Sequence, residues 1–126
     1  MTFEIDRERF DELVARSVED LPDGFRDRLE NVEFAVEEWA RPDDYARTEA
    51  PPGSTLLGVY RGVPLAKRGR GYSMTLPDRI VVFRGPLQRL ARDEADLYER
   101  VRHVVRHEVA HHFGITDERL REIDAY

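Results

Sequence analysis

The stretch VVRHEVAHHFGITDERL, residues 104–120, holds three of the chain's four histidines. His107 and His111 stand four positions apart, and on a helix residues at that spacing project from one face. Two such imidazoles could chelate one divalent ion without bending the backbone. Glu108 lies beside the first of them, close enough to reach a water held by that ion. This is the H-E-x-x-H pattern, whose chemistry is metal-assisted hydrolysis with the carboxylate as general base. Gly114 follows one turn after His111, where a glycine ends a helix and turns the chain back. Asp117 comes three residues later and could offer a third ligand. Two neutral imidazoles and one carboxylate leave one of zinc's four positions for water, as a catalytic site requires. The chain has no cysteine, so a transition-metal site must be made from histidine and carboxylates. That ligand set favours zinc, and it also accepts manganese, iron or cobalt.

Each of these residues has a plainer use. The His107/His111 pair could be the solvated edge of a surface helix. Glu108 could pair with an arginine, although it falls centrally on the apolar arc of its helix. A buried carboxylate without a partner is costly or protonated. Asp117 could cap a final helix, and its two oxygens allow both roles. His112 faces the apolar arc and reads as a packed histidine or one that supports the ligands. His103 is rotated away from that arc and reads as surface.

The elements that must position these groups follow from periodicity. Residues 6–20 place Phe10, Leu13, Val14 and Val18 at helical spacing, with Asp6 as N-cap and 21–24 as the stop. Residues 31–39 alternate as a half-buried strand, with Val32, Phe34 and Val36 on one face. Residues 40–54 hold three prolines and a glycine and read as a surface loop. Residues 56–62 read as a second strand, VPLAKR as a short third, and RGRGY (68–72) as a turn. The extended segment 73–85 breaks at Pro77, with Ile80 to Phe83 as its core. Pro86 suits a first helical position. Asp93 would cap a long helix running to about Phe113, and a short helix over 117–124 closes the chain. On the long helix Leu97, Val101, Val104, Val105, Glu108 and His112 share one arc, with His107 and His111 at its edge. One helix, then strands, then helices is an α+β order.

With 126 residues the expectation is a single domain, 1–126. Forty per cent hydrophobic and 37% charged residues make a globular composition. The apolar runs are too short for a membrane span, and the acidic start MTFEIDRERF lacks the layout of a secretory signal. A cytoplasmic monomer with no membrane partner is therefore expected. The formal charge of −6 argues against a nucleic-acid partner. Arg61, Lys67, Arg68 and Arg70 could form a phosphate-binding patch, but RGRGY lacks the context of a phosphate loop. Ser17, Ser54 and Ser73 lack a nucleophile-elbow setting.

The chain resembles the small, single-domain bacterial zincin-like metallopeptidases that carry HExxHxxGxxD. FDELVARSVEDLPDGF, NVEFAVEE, LLGVYRGVPLAKR, LPDRIVVFRGPL and VRHVVRHEVAHHFGITDERL are similar to that family's blocks, in their usual order. The resemblance implies a minimal zincin fold, a small twisted sheet packed on the N-terminal helix and the motif helix. It implies metal ligation by His107, His111 and Asp117 and general-base duty for Glu108. It also implies an edge strand that aligns an extended peptide by main-chain hydrogen bonds, for which RIVVF is the candidate. The spacing is similar to the metzincin clan as well, but no methionine follows Asp117 to form that clan's methionine turn, and Met74 lies upstream. Zinc-dependent hydrolysis of a peptide or protein substrate is the leading reading. The transition-state oxyanion would need a further donor, with Tyr72 and the arginines of 68–79 as options. The alternative is a zinc-stabilised, non-catalytic binding module.

Overall fold

The computed structural model describes residues 3–26, 29, 32–46, 48, 53–62 and 78–114. The elements run α1 (Arg7–Glu19), α2 (Asp23–Arg26), β1 (Val32–Glu37), α3 (Pro42–Ala46), β2 (Gly58–Arg61), β3 (Asp78–Phe83), α4 (Arg84–Leu90) and α5 (Glu94–His112). This is an α+β fold. Three expected features lie outside the described residues: the VPLAKR strand with the RGRGY turn, Met74, and the helix over 117–124. None of the described helices is long and apolar enough to cross a membrane.

Helix α1 starts where its sequence signal places it, with the Asp6 carboxylate accepting from the Arg9 N–H at 2.8 Å. It buries Phe10, Leu13, Val14 and Ser17. The Ser17 hydroxyl, unsuited to an apolar face, donates to the Val14 carbonyl at 2.6 Å. After the break at Leu21 and Pro22, the chain makes the single helical turn of α2.

The described strands form one mixed sheet in the order β1-β3-β2, with β1 parallel and β2 antiparallel to β3. RIVVF is therefore central and does not serve as the edge that a peptide would join. Its own sequence explains this. Ile80, Val81, Val82 and Phe83 form a continuous apolar run and are all fully buried, the pattern of a strand covered on both faces. Ile80, Val82 and Tyr60 join the main core beneath α1 and α5, with Phe34 and Val36 packed against them. Val59, Val81 and Phe83 form a smaller cluster on the opposite face.

Beside the sheet stands a turn of helix, α3, where a loop was expected. Pro42 occupies the first position of α3, where its missing N–H costs nothing. Asp44, two positions on, reaches back to accept from the Arg41 N–H at 2.9 Å. The Arg61 guanidinium binds Asp44 at 2.9 and 2.8 Å and Glu37 at 2.8 and 3.0 Å, so one β2 side chain ties α3 to β1. Burial pushes the Asp44 carboxyl up, but the hydrogen bonds from Arg61 and the Arg41 N–H hold it below its ordinary range. The hydrogen bond from Arg61 likewise holds Glu37 low.

Helix α4 starts at Arg84, so Pro86 falls at the third helical position and not the first. The first four N–H groups of a helix have no partner within it, and the third position tolerates proline for that reason. Asp93 caps α5 by accepting from the Asp96 N–H at 2.8 Å. Gly114 ends it at φ 75°, and its N–H donates to the His111 carbonyl at 3.0 Å. Only glycine takes that left-handed conformation without strain.

Candidate metal centre

Helix α5 packs on α1 and on the sheet, and Leu97, Val101, Val104, Val105, Glu108 and His112 are all buried. This is the arc that periodicity predicts. One stripe of it, Val104–Glu108–His112, rises at four-residue spacing and rests on β2. At Gly58 the two elements touch so closely that an added Cβ would overlap Val104 Cγ1 and come within 3.6 Å of Glu108 Cγ. Two residues along β2, the Tyr60 hydroxyl lies 3.0 Å from His112 Nδ1. Glu108 thus sits between two points where the helix is held to the strand.

His107 and His111 are half-buried at the edge of this arc, with ring centroids 4.4 Å apart. Glu108 is only 7% exposed, and its Oε1 lies 3.1 Å from His111 Nδ1. Among the described residues no arginine pairs with it, so the salt-bridge reading gives way to a contact within the motif. With Glu108 ionised, its oxygen only accepts, so His111 Nδ1 carries the proton and Nε2 the lone pair. A metal-ligating histidine characteristically donates its second ring N–H to a carboxylate or carbonyl in this way. One donor atom from each of His107, Glu108 and His111 lies within 4.8 Å of the others. Two imidazoles and a carboxylate in that volume are a donor set that suits a divalent transition ion. Asp117, the expected third ligand, lies outside the described residues, as do Tyr72, Lys67, Arg68 and Arg70. Arg61 is committed to Glu37 and Asp44, and the exposed Arg79 pairs with Glu33 at 3.1 Å. Arg61, so held, does not support a phosphate-binding patch, and Arg79, one of the expected options for the oxyanion, is engaged by a carboxylate.

His103 is exposed, as its rotation predicts, with its ring 6.5 Å from that of His107. His112 is 1% exposed and reaches two residues that sequence reasoning did not single out. Its Nδ1 lies 3.3 Å from Asp78 Oδ2, which also accepts from the Tyr60 hydroxyl at 2.7 Å. A signal existed. A histidine on an apolar arc needs polar partners inside the fold, and Asp78 opens the most apolar of the described strands. An open cleft lined by Arg16, Glu94 and Tyr98 lies along the first turns of α5. Tyr98 is about 14 Å from His107 along the helix axis, so the cleft is separate from this centre.

Comparison with curated proteins finds no match. A conserved hypothetical protein from Thermus thermophilus is similar in structure, with a TM-score of 0.59 and 28% identity over 86% of this chain and 94% of that one. The zincin-like metallopeptidase family matches residues 29–126, leaving α1 and α2 ahead of the matched region. With the motif helix and all three described strands inside that match, the chain belongs to the zincin-like metallopeptidase family.

Proposed function

We propose that this chain is a zinc-dependent peptidase, with His107, His111 and Asp117 as ligands and Glu108 as general base. The observation that carries the reading is the convergence of His107, Glu108 and His111 within 4.8 Å on a helix anchored to the sheet. The bound ion would supply Lewis acidity toward a water and the scissile carbonyl. Glu108 takes a proton from the attacking water onto a carboxylate oxygen and later delivers it to the departing amine nitrogen. Its low exposure restricts the competing solvent around that oxygen, and its backbone position between Val104 and His112 fixes where the proton is received. The substrate is a peptide or protein segment, and the working unit is a monomer in the cytoplasm.

The test is Glu108→Gln, which keeps the shape and removes the base. Zinc content by mass spectrometry should stay near wild type, while hydrolysis of a broad peptide library should fall by about 10²–10⁴-fold. Full activity in the zinc-loaded variant would overturn the mechanism. Zinc retained by wild type without hydrolysis of any peptide or folded protein would instead support the non-catalytic binding module.

A further inference from the structure

We infer that the buried Tyr60–Asp78–His112 linkage is a positioning device for the candidate metal centre. It sets the rotation of the last turn of α5, and with it the direction of His111. The inference rests on the metal-centre reading above.

The linkage has a defined direction. Tyr60, Asp78 and His112 are 9%, 4% and 1% exposed, so their hydrogen bonds form in a water-poor interior. The Tyr60 hydroxyl has one proton and donates it to Asp78 Oδ2 at 2.7 Å. The 3.0 Å contact between that hydroxyl and His112 Nδ1 then requires the imidazole to donate. The same N–H points toward Asp78 Oδ2 at 3.3 Å. Asp78 accepts, Tyr60 donates and accepts, and His112 donates from Nδ1. A Cβ at Gly62 would overlap Asp78 Oδ1, so the neighbouring chain also leaves room for this carboxylate.

The position of the linkage matters more than its strength. Helix α5 ends at His112, so His111 stands in the final turn while His107 lies one turn further in. The last turn of a helix lacks half of its hydrogen-bond partners and frays readily. Successive helical residues differ by about 100° in direction. Tying His112 to β2 and β3 therefore also fixes the direction of His111. If that turn rotated by about 20°, an imidazole roughly 5 Å from the axis would move by about 2 Å. Metal–ligand distances tolerate about 0.2 Å. An apolar trio could fill the same volume and hold the helix in place. Buried polar groups add directionality, because their hydrogen bonds form in one arrangement only.

The experiment compares wild type with Tyr60→Phe, Asp78→Asn and a control, Val101→Ala, which removes buried α5 contacts away from the histidines. Zinc affinity is measured by chelator competition, the visible spectrum after cobalt substitution, and the melting temperature by calorimetry. Tyr60→Phe and Asp78→Asn should each weaken zinc binding about tenfold or more and change the cobalt spectrum. Val101→Ala should melt earlier with wild-type affinity and spectrum. Wild-type affinity and spectrum in both linkage variants would overturn the inference and leave the metal centre standing. A wild type that takes up no zinc would overturn the metal centre and the inference with it. A further measurement needs no variant. The long-range proton–nitrogen NMR spectrum of wild type should show His112 protonated at Nδ1, and an unprotonated Nδ1 would overturn the linkage as drawn.

Discussion

Replacing Gly58 with alanine adds one methyl group at the tightest contact between the sheet and the motif helix. The new carbon would overlap Val104 Cγ1, stand 3.1 Å from the Val81 carbonyl oxygen and lie 3.6 Å from Glu108 Cγ. Val81 belongs to the central strand, paired on both sides, so its carbonyl cannot yield. A valine in a helix has one strongly preferred rotamer, so Val104 cannot turn aside cheaply. The helix must retreat until the carbons stand about 3.5–4 Å apart. Overpacking of this kind costs about 1–3 kcal/mol. Restricting the unfolded chain returns about 0.4–1 kcal/mol, leaving a net loss of about 1–2 kcal/mol. For a chain of this size that is about 4–8 °C in melting temperature, read by calorimetry. Val104→Ala removes the obstructing carbon, so the double variant should be more stable than the two single losses predict, by about 1 kcal/mol or more. An unchanged or raised melting temperature in Gly58→Ala, or strict additivity in the double variant, would refute the packing argument.

Two further perturbations test the frame around the site. Asp44→Asn should destabilise the fold by about 2–3 kcal/mol in urea titrations at neutral pH, because it weakens a buried charge pair while Glu37 still holds Arg61. Asp44 and Glu37 both titrate below their ordinary range. Their contribution is therefore complete above the unfolded carboxylate values near ~4 and is lost as pH falls through the lower folded values. Wild type should lose stability across that acid range, and Asp44→Asn should lose less; parallel pH profiles would contradict the assignment. Asp93→Ala removes the side-chain cap of α5 and should cost about 1 kcal/mol in the same titration, and no measurable loss would mean the cap is replaced by water.

Helices α1 and α5 were legible because their signals are local, whereas the short α2 fell where only a stop was expected. Asp6 and Asp93 mark starts, Gly114 marks a stop, and a 3.6-residue period links the core positions between them. The motif was legible for the same reason, since four-residue spacing brings His107 and His111 together before any tertiary contact exists. Features that depend on distant pairing were harder to read. The central place of RIVVF required weighing a continuous apolar run against an expected edge. Residues 40–54 looked like loop by composition, yet Pro42 and Asp44 are good residues for a helical start, and the distant Arg61 completes the turn. Gly58, Tyr60 and Asp78 have no motif. Their significance comes from where β2 and β3 meet α5, a register that local sequence does not encode.

The stripe Val104–Glu108–His112 violates the ordinary rules of packing in a consistent way. Two of its three residues are polar, yet it lies against a strand whose neighbours form the main core. Leucine at 108 and 112 would remove the desolvation cost of a carboxylate and the need for Tyr60 and Asp78. Places where local consistency fails in an otherwise consistent fold tend to be functional. Here the exceptions coincide: the buried carboxylate, the glycine that lets the strand approach it, and the polar linkage at the helix end all meet on one face of α5. The histidine pair alone fits many surface helices. Its combination with a carboxylate held at low exposure between two strand contacts is what favours a proton-transfer site over a merely structural ion.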